Sequence, residues 1–200
     1  MPGGDASWRG MVTTIERRKV NEQHGHFFGL ESRWWAVAIV GVGFLLRIYR
    51  LGADSIWYDE GVSLFLAQQT PVELIHHTAG DIHPPLYYLL LHFWIRLVGA
   101  SEFAAAFLSL GFGLLLIAAI YCIGSRLCGR SVGTIAALLA AVAPFQIWYS
   151  QEIRMYSLGA LLGLLAFWGA ASFLKECASA PRTLLWGAVG CYVLARALGL

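Results

Sequence analysis

PPLYYLLLHFWIRLV, Pro84–Val98, is the run on which the fold of this 200-residue chain turns. It is apolar enough to enter a bilayer, yet its 15 residues fall short of the roughly 20 a helix needs to cross one. It also carries Tyr87, Tyr88, His92 and Arg96. Basic residues elsewhere arbitrate, because short cytoplasmic segments are enriched in Lys and Arg. The loop with Arg126 and Arg130 and the loop with Lys175 and Arg182 are separated by two uncharged runs, so they share a side. The N-terminal segment with Arg17, Arg18 and Lys19 belongs on that side too. Counting Pro84–Val98 as a span would put it on the opposite side. The run is therefore expected to lie along the outer interface, a depth that suits its Tyr and Trp rings.

Outward from that run, the chain reads as an oily series of spans. It is 58% hydrophobic and 13% charged, about half the charge of an ordinary soluble domain. Phe103–Ile123, Ser131–Ser150 and Tyr156–Leu174 are uncharged runs of 21, 20 and 19 residues. Trp34–Leu51 qualifies as a span if Arg47 and Arg50 snorkel at its outer end. Gly159 and Gly163 form a GxxxG pattern expected to mark close helix packing. The expected fold is thus an all-α, multi-pass transmembrane bundle. Its divisions are a cytoplasmic tail (1–32), spans at 33–52, 103–124, 131–150, 156–174 and 183–200, and an extracytoplasmic loop (53–102) with an interfacial helix at 84–98. A net charge of +2 excludes a nucleic-acid partner. Cys122, Cys128, Cys177 and Cys191 form no CxxC pair and read as small packing residues.

The carboxylates are unevenly placed. Six of the 12 acidic residues lie between Asp54 and Glu102, together with one basic residue, Arg96, and four of the six histidines. On the expected topology this stretch is the extracytoplasmic loop, and the turn Gln146–Ser157 meets it on the same face.

Three polar constellations result. In Trp57-Tyr58-Asp59-Glu60, adjacent carboxylates suit deprotonation of a hydroxyl or metal binding, or simply an acidic helix start. In Asp81-Ile82-His83-Pro84-Pro85, Asp and Pro suit a helix start, while His83 beside a carboxylate suits metal or phosphate. In Trp148-Tyr149-Ser150-Gln151-Glu152-Ile153-Arg154-Met155-Tyr156, Glu152 and Arg154 sit where the chain turns back into lipid. A guanidinium there matches phosphate oxygens, or the charges merely face water.

These constellations, in this order, resemble the membrane glycosyltransferases of the GT-C superfamily. Family 39 and its relatives are closest: protein O-mannosyltransferases, aminoarabinose transferases of lipid A and the bacterial Rgt-type enzymes. WYDEGVSLFLAQ resembles the first-loop DE motif, DIHPPLYYLLLHFW the HPP motif with its juxtamembrane helix, and PFQIWYSQEIRMYSL the third motif. The resemblance spans roughly Arg47–Phe173.

The resemblance implies transfer of a sugar from a polyprenyl-phosphate carrier to a lipid, glycan or protein acceptor at the outer face of a cell membrane. Asp59 matches the catalytic aspartate, a general base on the acceptor hydroxyl, with Glu60 in support. Asp81 and His83 would lie beside the donor phosphate or a divalent metal ion, the one candidate cofactor. Glu152, Arg154 and Tyr87 would line the same cavity. Full-length members carry more spans, so the chain is expected to represent their N-terminal part, which alone can lack activity. Two other readings remain: a non-catalytic truncated membrane protein, and a transporter subunit. Transporters place charges near mid-bilayer, and the three internal runs have none.

Overall fold

The computed structural model describes residues 34–53, 55–80 and 83–177, with only the backbone for 175–177. The expected tail at 1–32 and span at 183–200 lie outside the described residues, as does Asp81. Among the described residues the chain is all helical. Helix α1 is Trp34–Ile48. It is followed by α2 (Tyr58–Gln68), α3 (Pro71–Ala79), α4 (Leu86–Val98), α5 (Glu102–Cys128), α6 (Arg130–Val142), α7 (Pro144–Gln151) and α8 (Tyr156–Cys177).

The short helices start where local chemistry allows. Asp59 and Glu60 occupy the first turn of α2, where carboxylates face the positive end of the helix dipole. Thr70 caps α3: its Oγ1 accepts from Glu73 N, while the Glu73 carboxylate reaches back to Thr70 N at 3.1 Å. These reciprocal bonds form a capping box, with Pro71 opening the first turn. Helix α4 has 13 residues, about 20 Å of rise, which is less than the roughly 30 Å of a hydrocarbon core. Tyr87, Tyr88, Leu91, His92 and Ile95 form its buried face, and Phe93 and Leu97 are exposed. His92 Nδ1 lies 2.8 Å from the carbonyl of Ala67 at the end of α2. A carbonyl can only accept, so Nδ1 carries the proton and ties the two helices together.

The long helices form the bundle. Helix α5 has 27 residues, a rise of about 40 Å, and packs against α6, α7 and α8. Gly129, at φ +92°, turns the chain back after it. Helices α5 and α8 are each long and apolar enough to cross a membrane. The run 131–150 qualifies only as a bent pair, because α6 and α7 meet at 58°. Pro144 explains the bend: it has no N–H to give the carbonyl of Ala140.

Arg47 supplies what Pro144 withholds. Its Nη2 donates to Ala140 O at 3.1 Å and its Nη1 to Ala141 O at 2.9 Å and Gly43 O at 3.1 Å. Its Nε donates to Ser150 Oγ at 3.1 Å, and Ser150 in turn donates to Gln146 O. Arg47 is only 1% exposed, so it is not the snorkelling anchor that its position near the end of an apolar run implies. The reason is local: the bend offers the carbonyl oxygens of Ala140 and Ala141 within hydrogen-bond reach. Gly113 of α5 leaves the room, since a Cβ there would come within 2.3 Å of Ser150 Oγ.

Two other expectations are corrected. A Cβ on Gly159 or Gly163 would meet nothing within 4 Å, so the GxxxG pattern seats no described helix. Close packing falls instead between Gly124 and Gly133, where an added Cβ would lie 3.0 Å from the neighbouring backbone. Cys122 and Cys128 are exposed on α5 rather than packed inside.

Candidate active site

The polar motifs meet at the end of the bundle where α5 begins. Helices α2 and α4 pack at this end, and the four residues between α7 and α8 complete it. Arg126, with its guanidinium 5.8 Å from the Trp168 ring, marks the opposite end of α5. The α7–α8 turn is tied from three sides. Ile153 N donates to Glu60 Oε1 at 2.9 Å. Ser109 Oγ, on α5, donates to the carbonyl of Arg154 at 3.3 Å, and Tyr87 Oη lies 2.8 Å from Ser109 Oγ. Gln151 Nε2 donates to the carbonyls of Arg47 and Tyr49 at 3.0 and 2.8 Å, which anchors the turn to the end of α1.

Arg154 is the centre of this arrangement. Its Nη2 lies 3.6 Å from Asp59 Oδ2 and 3.4 Å from His83 Nε2, and its Nη1 donates to Asp59 O at 3.4 Å. A guanidinium only donates, so His83 accepts at Nε2 and holds its proton on Nδ1. The Arg154 side chain is 7% exposed and that of Asp59 43%. The cation is thus set in the protein and the carboxylate opens outward. Arg154 Nε is buried and has no hydrogen-bond partner. Burial works against the charge, but Tyr156, Tyr88 and Asp59 outweigh it and hold the guanidinium above its ordinary pKa. The Tyr156 ring centroid lies 5.7 Å from the guanidinium carbon, within cation–π range.

The neighbouring acids differ. Glu60 is spoken for by backbone: Oε1 accepts from Ile153 and Oε2 from Trp57 N at 3.4 Å. Glu152 accepts from Trp148 Nε1 through Oε1, while its Oε2 is buried and unpartnered. Burial raises the Glu152 pKa, and the nearby Glu60 adds to the effect. Burial also pushes the Tyr87 phenol up, which keeps it protonated.

Sequence reasoning therefore reached Asp59, Glu60, His83, Tyr87, Glu152 and Arg154, and the structure brings all six to one end of the bundle. It missed Ser109, which is hidden in an uncharged run, and Trp148, which holds Glu152. A hydroxyl in an apolar span and an indole four residues before a carboxylate were their only signals. Asp81, the other half of the metal pair expected with His83, lies outside the described residues. Among the described residues no three His, Cys, Asp or Glu side chains converge as a metal ion requires.

The profile of the dolichyl-phosphate-mannose-protein mannosyltransferase family matches residues 82–197, more than half of the chain. The chain belongs to this family. It is accordingly a GT-C-type, glycosyltransferase-like integral membrane protein. His83, Tyr87, Glu152 and Arg154 lie inside the matched segment, whereas Asp59, Glu60 and Asp81 precede it. No curated protein and no solved structure matches the chain.

Proposed function

We propose that this chain contributes the catalytic end of an enzyme that moves a sugar from a polyprenyl-phosphate carrier to an acceptor hydroxyl at the extracytoplasmic face. The observation that carries the reading is the Arg154 guanidinium, held 3.6 Å from Asp59 and 3.4 Å from His83. Three motifs distant in sequence thereby share one buried cation with an open carboxylate in front of it.

The chemistry follows from the charges. Asp59 takes the proton of the acceptor hydroxyl, and the acceptor oxygen attacks C1 of the sugar. The bond from C1 to the carrier phosphate oxygen breaks, and its electron pair leaves on the phosphate. Arg154 stabilises that developing charge; a fixed cation at the site of charge build-up costs no reorganisation. His83 lies beside it and Glu60 holds the turn in place. A single base facing the acceptor suits direct displacement with inversion. Asp81 extends the His83 motif, and in this reading it sits toward the donor phosphate. The short α4, apolar on its outer face, supports an interfacial position, with lipid on one side and α2 and α5 on the other.

The test is transfer from polyprenyl-phosphate sugars by the membrane-embedded protein, comparing wild type with Asp59→Asn. Loss of the base is expected to lower the rate by about 10²–10⁴-fold. Equal transfer by both proteins would remove Asp59 from the reaction.

A further inference from the structure

A second recess lies at the same end of the bundle, on another side of the first turn of α2. It is a cavity of about 300 Å³ between the end of α1, the start of α5 and the α7–α8 turn, at the lower end of the range that holds small ligands. Glu60, Glu102 and Glu152 line it, with Arg50 and the rings of Trp57 and Trp148. Asp59, His83 and Arg154 are not among its walls.

We infer that this cavity binds a primary ammonium group. Three carboxylates against one arginine leave the described lining with an excess of negative charge. Glu152 is 9% exposed and its Oε2 has no hydrogen-bond partner, so the wall holds a buried acceptor that a charged N–H donor would satisfy. Trp57 and Trp148 add aromatic surface that attracts cations. A bare metal ion is a poor fit, since no three acidic, His or Cys side chains among the described residues converge. A neutral, hydroxyl-bearing ligand would leave the charge excess unanswered. The inference does not rest on the transfer reaction, because it concerns equilibrium binding without a donor sugar.

The experiment titrates n-hexylammonium, and n-hexanol as its neutral counterpart, into the full chain in phosphatidylcholine nanodiscs by calorimetry. Protein-free nanodiscs supply the partitioning blank. Hexylammonium is expected to saturate one site above the blank, and hexanol is not. Glu152→Gln is expected to weaken hexylammonium at least tenfold, and Glu102→Gln about threefold. Glu102 sits at the exposed start of α5, so its variant decides the question if Glu152→Gln fails to fold. Hexanol binding as tightly as hexylammonium would overturn the inference, as would wild-type affinity in the folded carboxylate variants. Phosphatidylethanolamine nanodiscs separate the two sources of such an amine. Competition there identifies a lipid headgroup, and unchanged affinity identifies an amine arriving from water.

Discussion

Two arginines are buried among the described residues, and their surroundings differ in kind. Arg47 is enclosed by α1, α5, α6 and α7, and its guanidinium donates to three carbonyls and a serine hydroxyl. Arg154 is also buried, but it faces the open carboxylate and one carbonyl of Asp59, the His83 imidazole and the Tyr156 ring, and its Nε has no partner. A cation saturated by backbone carbonyls is spent on architecture. One left with unused donors beside an accessible acid is poised for a ligand. An ionisable group within an apolar bundle is by default a functional candidate. The comparison shows that the partner list, and not depth alone, separates the two cases.

The sharpest way to break this contrast is Arg47→Leu. It orphans the Ala140 and Ala141 carbonyls and leaves Ser150 Oγ only its bond to Gln146 O. At about 1–3 kcal/mol for each buried polar group left without a partner, a loss of about 3–5 kcal/mol is expected in thermal or denaturant unfolding of the nanodisc-embedded chain. An unchanged melting point would show that the bend does not need its clamp. Arg154→Lys comes next. A point charge cannot reproduce the fork that faces Asp59 and His83, so sugar transfer should fall by about 10²–10³-fold, the range for one preorganised charge-stabilising donor. Its melting point should stay close to wild type. A large loss of stability would make Arg154 a second Arg47.

Gly113→Ala probes the clamp from α5. The new methyl group would collide with Ser150 Oγ and come 3.3 Å from Arg47 Nε, and such overpacking costs about 1–3 kcal/mol. Gly159→Ala is the matching control: its Cβ meets open space, so no packing is lost and the helix gains about 0.5–1 kcal/mol from the removed glycine.

The smallest effect concerns Glu152→Gln. The folded pKa of Glu152 is raised by burial, so its ionised form costs stability. That cost is absent below the ordinary carboxyl pKa and grows as pH rises through the raised one. The variant should match wild type near pH 4 and melt slightly higher at pH 8. A variant less stable at pH 8 than at pH 4, relative to wild type, would reverse the assigned sign.

Much of this was legible along the chain, and the exceptions share a cause. Uncharged runs gave α5 and α8, because an apolar run of sufficient length needs no partner to be read. The motifs around Asp59, His83 and Arg154 were visible because carboxylates, histidine and arginine are rare in so oily a chain. The GxxxG reading at Gly159 failed because a small-residue spacing permits close packing without supplying a helix to pack. Arg47 was misread for the same reason: its position near a span end allowed snorkelling, but the carbonyls it takes are some 90 residues away.

The sequence by itself determined that this is an all-helical membrane chain, with its acids crowded into one segment and three polar motifs spaced along it. Composition and hydropathy are local sums, so no folding is needed to read them. Only the tertiary structure decided which charges are used up and which remain available. Pro144 bends a span, the bend frees carbonyls, and Arg47 is consumed in meeting them. The α7–α8 turn, tied to Glu60, Ser109 and the end of α1, then sets Arg154 against Asp59 and His83. Those outcomes depend on hydrogen-bond partners brought together from distant positions, and no periodicity or spacing along the chain encodes them.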